Sequence, residues 1–158
     1  MRALATSPAA IAVEALLARA RSRARTPPDP LPALLQHVRA GLASRAQSEE
    51  ALDLAFASFD ADPCCGAMIA LAPFAAFPDL AVRAAAKVVE ASRSTDGFMR
   101  FDAARVLGGL GGEESIARLK ELESDATMPK TTSRGTAWSV GANATKALEK
   151  IRERTRPV

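Results

Sequence analysis

Residues 97–125, GFMRFDAARVLGGLGGEESIARLKELESD, leave few ways to fold. At about 100° per residue, Met99, Ala103, Val106, Leu107 and Leu110 fall on one side of a helix. Phe101, Asp102, Arg105 and Gly109 fall on the other. Gly111-Gly112 supplies the positive-φ positions that stop a helix. Glu113 and Glu114 suit the start of the next one, where the helix dipole favours negative charge. Ile116, Leu119 and Leu122 mark the buried side of that second helix. Two short amphipathic helices cannot close a core between them, so the remaining chain must supply more of the same.

It does. Helical periodicity predicts helices over 8–25, 31–45, 48–59, 64–77, 80–92, 97–110, 113–125 and 137–154. Stops and starts separate them: Thr26-Pro27-Pro28-Asp29-Pro30, Ser48 as an N-cap ahead of Glu49 and Glu50, Pro63, Pro78-Asp79, and Asp96-Gly97. Leu31, Leu34, Leu35, Val38 and Leu42 form one clean stripe; Val140, Ala144, Ala147, Leu148 and Ile151 form another. Residues 64–77, CCGAMIALAPFAAF, contain no charge, which predicts a helix covered on several sides or serving as an interface, with Pro73 kinking or ending it. Helix starts recur at spacings of about 31–34 residues, and Ala103-Ala104-Arg105-Val106-Leu107 echoes Ala85-Ala86-Lys87-Val88-Val89 and Ala144-Thr145-Lys146-Ala147-Leu148. The chain therefore divides into helix pairs 8–45, 48–77, 79–110 and 113–154. Residues 1–6 and 155–158 read as loose tails.

The run Met99-Arg100-Phe101-Asp102-Ala103-Ala104-Arg105-Val106-Leu107-Gly108-Gly109-Leu110-Gly111-Gly112-Glu113-Glu114-Ser115-Ile116 resembles HEAT-like repeats, in particular the bacterial type first noted in phycocyanobilin lyases. Met99 stands where that pattern has a valine, and Gly112 where it has an aspartate. The resemblance implies an all-α fold, an α-solenoid built as a right-handed superhelix of about four HEAT-like helix pairs. It implies a single domain over 1–158. It carries no activity with it, because the lyase likeness rests on the scaffold.

The residues offer little chemistry. Cys64 and Cys65 are the only cysteines and adjoin. Neighbouring Cα atoms lie closer than bridged cysteines usually do, so both read as small buried apolar residues in a reducing compartment. His37, the one histidine, falls off its helix's stripe with no nucleophile set around it. Gly108-Gly109-Leu110-Gly111-Gly112 lacks the Lys-Ser/Thr of a phosphate loop. Glu113-Glu114 and Glu121/Glu123 read as helix-end charges. No catalytic, metal or cofactor residue is expected. No run is long enough to span a membrane. Glu14 interrupts the apolar part of the first segment, against a secretory signal; an ordinary first helix and a cytoplasmic chain are expected.

What remains is binding. Residues 1–45 carry seven bases and two acids, 46–79 six acids and no base, and 80–158 fourteen bases and ten acids. The bands read either as solvated faces or as a basic end for an acidic partner. The expected function is a non-enzymatic scaffold, regulator or immunity-type inhibitor that binds a protein or peptide partner of acidic character. The alternative is a nucleic-acid-binding module of DNA-repair type using the Arg-rich ends, a reading weakened by a single Trp and no Tyr. In HEAT-like stacks the second helix of each pair lines the concave surface. That implication puts Phe101, Asp102, Arg105, Lys146, Glu149 and Lys150 on the partner-binding face, with Arg134 on the long 126–136 linker beside it. Trp138, off its helix's stripe, reads as packing against that linker or touching a partner.

Overall fold

The computed structural model describes residues 8–22, 29–129 and 138–156. Among them are eight α-helices, one 3-10 helix and no strand: α1 (Pro8–Arg21), α2 (Pro30–Arg39), α3 (Arg45–Ala61), α4 (Cys65–Ile69), the 3-10 helix (Ala72–Ala76), α5 (Pro78–Ala91), α6 (Gly97–Leu110), α7 (Glu113–Leu122) and α8 (Val140–Thr155). The all-α expectation holds. No helix among the described residues is long and apolar enough to cross a membrane.

Several boundaries differ from expectation for local reasons. The second helix stops at Arg39 rather than 45. Gly41 takes φ 70°, and Gly41 N–H and Leu42 N–H donate to the Val38 and His37 carbonyls at 3.0 Å each. This is a Schellman stop, and it leaves Leu42 exposed instead of on the stripe. The third helix then starts early. Ser44 Oγ accepts from Gln47 N–H, and Gln47 Oε1 accepts from Ser44 N–H, a reciprocal capping box. Ser48, the expected cap, lies inside the helix, fully buried. The uncharged 64–77 segment is not one helix. α4 lasts five residues, and the chain continues as the 3-10 helix containing Pro73, because proline has no N–H to bond the fourth carbonyl back. At the other end, α8 runs on through Thr155, expected to be tail, whose hydroxyl donates to the Ile151 carbonyl at 3.1 Å. It begins at Val140 behind the Ser139 cap, not at 137. Residues 1–6, 130–137 and 157–158 of the expected tails and linker lie outside the described residues.

Packing follows the chain. Each helix touches its partner: α1 with α2, α3 with α4, α5 with α6, α7 with α8. The first helices also touch in succession, α1–α3–α5–α7. So do the second ones, α2 with the 3-10 helix, that helix and α4 with α6, and α6 with α8. One core threads between these two rows, including Val13, Leu17, Leu34, Leu52, Phe74, Leu80, Val88, Leu107, Leu119 and Leu148. α6 packs closely against α8. Ala103, Ala104 and Ala144 are wholly buried there, and a Cβ on Gly108 would stand 2.6 Å from that of Ala147. Asn143 Nδ2 donates to the Phe101 carbonyl at 2.7 Å, near the start of both helices. Arg154 donates to the Gly108 and Gly109 carbonyls, near the end of both. The two helices therefore run parallel.

Candidate functional site

Arginines tie successive pairs together by reaching spent carbonyls. Arg118 of α7 donates to Ser92 Oγ at 2.7 Å and to the Ser92 carbonyl at 2.9 Å, just past α5. Arg154 does the same for the end of α6. Arg100 bonds the Ser94 and Thr95 carbonyls at 2.9 Å, Asp125 Oδ2 at 2.7 Å and Thr127 Oγ1 at 2.8 Å. Cations are favoured at helix C-termini, and these contacts satisfy groups the helices leave unpaired. The Arg100 guanidinium, with the Thr127 N–H at 2.9 Å, holds the Asp125 carboxyl down to about 2. These groups are structural: they fix the turn at 125–127 that follows α7.

Along α1, α3 and α5, Arg21, Arg45, Arg83 and Lys87 each pair with carboxylates. Arg21 meets Glu50 and Glu14, Arg45 meets Asp79 and Glu49, Arg83 meets Asp53 and Glu49, and Lys87 meets Asp60 and Glu90. Of the acidic band at 46–79, Glu49, Glu50, Asp53, Asp60 and Asp79 are thereby answered from α1, α3 and α5, and, among the described residues, Asp62 is not. The hydrogen bonds with Arg21 and Arg45 lower the Glu50 and Asp79 carboxyls, and that with Asp60 raises the Lys87 ammonium.

The second row differs. Of the residues expected on the binding face, Asp102 and Arg105 pair at 2.9 Å on α6. Lys146, Glu149 and Lys150 are exposed on α8. Asp102 and Arg105 thus lie on α6, and Lys146, Glu149 and Lys150 on α8, the helix packed beside it. Phe101 does not present an open ring; it is half-buried and packs against the core. Arg134 lies outside the described residues. Trp138 sits just before the α8 cap, 43% exposed, with the Lys146 ammonium 4.4 Å from its ring centroid, a cation–π contact. His37 is half-buried, its Nδ1 2.9 Å from the Ala33 carbonyl.

One feature has no counterpart in the sequence reading. A groove of about 810 Å³ lies between α2 and the α4/3-10 segment. Cys64, expected to be buried, is exposed and lines it. The uncharged segment buries Met68, Leu71 and Phe74 but turns Ile69, Ala75 and Ala76 outward to the groove. Only alternate parts of it are covered, and sequence periodicity could not say which because every residue there is apolar. Among the described residues, no group of three or more His, Cys, Asp or Glu could hold a metal ion. No family model, curated protein or solved structure matches this chain.

Proposed function

We propose that the chain is a non-enzymatic, cytoplasmic α-solenoid of HEAT-like repeats, a right-handed superhelix of four helix pairs, that binds a protein or peptide partner along its second row. The succession of contacts within each row, with neighbours in sequence as neighbours in space, supports the solenoid part. One observation carries the binding part. Arg21, Arg45, Arg83 and Lys87 of α1, α3 and α5 are tied to carboxylates, whereas α8, which with α6 forms the proposed seam, offers exposed Lys146 and Lys150, with Lys146 over the ring of the half-exposed Trp138. Aromatic and cationic side chains in such a cluster are the residues that dominate protein interfaces.

The test is capture of partners from the native host by the intact chain, compared with a Lys146→Glu/Lys150→Glu chain and with a Lys120→Glu control on α7. The reading expects specific proteins to be lost from the double variant alone. Equal capture by all three, with helical circular dichroism unchanged, removes the seam. The nucleic-acid reading draws on the same lysines together with exposed Arg152 and Arg156 on the α8 end. Binding of labelled duplex DNA that weakens steeply with salt, and is lost in the double variant, would favour it instead.

A further inference from the structure

The groove beside α2 has the size of a ligand cleft, which usually spans about 300–1,000 Å³. It borders the one place where a second-row helix is broken, α4 giving way to the narrower 3-10 coil around Pro73. Its floor is apolar, built from Leu31, Leu35, Ala67, Ile69, Ala72 and Ala76. Its charges stand at the ends. Asp29 caps the start of α2 and Asp62 caps the end of α3; both lie away from the 40–44 connection that joins these helices. Arg39 closes α2 at the opposite end. The α2 length between Asp29 and Arg39 is about 15 Å at about 1.5 Å per residue. Arg39 and Asp62 have no ion-pair partner among the described residues, unlike the cations of α1, α3 and α5.

We propose that this groove binds an extended peptide segment of a protein partner, with a cationic side chain at the Asp29/Asp62 end, an acidic side chain at Arg39, and apolar residues between. The proposal rests on the partner-binding reading above and moves the contact to the other end of the row. An extended chain rises about 3.3 Å per residue, so the two charges stand about four to five residues apart. Opposite charges at the two ends orient the segment, and the apolar floor supplies the burial.

A phage-displayed library of random 12-residue peptides, selected on the intact chain, tests this. Enriched peptides should share a cation, an apolar stretch and an acid four or five positions on. Synthetic copies should lose about tenfold or more in affinity on an Arg39→Glu chain, and regain it when the peptide acid is replaced by Lys. Bound peptide should slow alkylation of Cys64, localised by tandem mass spectrometry. An empty selection, peptides without the pattern, equal affinity for Arg39→Glu, or unaltered Cys64 alkylation each overturns the proposal. Peptides retained by Arg39→Glu but lost on Lys146→Glu/Lys150→Glu also overturn the groove, while leaving the partner-binding reading standing.

Discussion

Gly108 and Gly109 stand side by side in α6 with opposite tolerances. A methyl at 108 would meet Ala147, at 2.6 Å from its Cβ and 3.0 Å from its Cα, whereas a methyl at 109 meets nothing within 4 Å. Gly108→Ala should force α8 outward and cost about 1–3 kcal/mol. Gly109→Ala should leave the fold unchanged or stabilise it by about 0.5–1 kcal/mol, by restricting the unfolded chain and improving helix propensity. Urea midpoints read both; equal shifts would mean that the α6–α8 contact is misplaced. Asp125 gives a second residue-scale outcome. Its folded pKa, about 2, lies below the model-compound 3.8. The stabilisation it provides is therefore fully present above about pH 4 and is lost as pH falls toward 2. Asp125→Asn should flatten that acid limb and cost about 1–3 kcal/mol at neutral pH, because the half-buried Arg100 loses a charged acceptor. An unchanged pH profile would deny the pairing.

At the scale of elements, the two serines near the start of α3 separate capping from composition. Ser44 Oγ holds the first turn of the helix, while the Ser48 hydroxyl is buried without a hydrogen-bond partner. Ser44→Ala should cost about 1 kcal/mol; Ser48→Ala should be neutral or stabilising, since it removes an unsatisfied polar group. Thermal melts that rank the two variants the other way would return the cap to Ser48. The sequence pointed to Ser48, and the Schellman stop at Gly41, by ending α2 early, frees Ser44 to take the cap instead. Along α8, where the 3.6-residue period is uninterrupted, the two faces of the helix were legible. Val140, Ala144, Ala147, Leu148 and Ile151 are all buried, and Lys146, Glu149, Lys150 and Glu153 are all exposed. In the uncharged stretch 64–77 the proline signalled the break that the structure shows, but the groove was not legible. A groove is a space between elements, and no single segment encodes it. Phe101 shows a related limit: its angular position pointed outward, but a large ring can lean over the edge of its stripe onto the core.

At the scale of the molecule, the contacts join elements close in sequence, so loop closure is inexpensive and folding should be fast for the chain's length. The exposed pairs along α1, α3 and α5 add little individually. Raising salt from 0.05 to 1 M should therefore change global stability by no more than about 1 kcal/mol, and a larger loss in urea melts at matched salt would show the belt to be structural. The α6 surface, by contrast, depends on a cover that arrives late in synthesis. α6 ends at Leu110 and α8 at Thr155. At about 5–20 residues per second, the ribosome makes the intervening stretch in about 2–9 s. Throughout that interval the α6 face around Gly108, which Ala147 covers in the folded chain, lacks that cover on the nascent chain, and a codon-level pause between the two helices would lengthen the exposure that chaperones must guard.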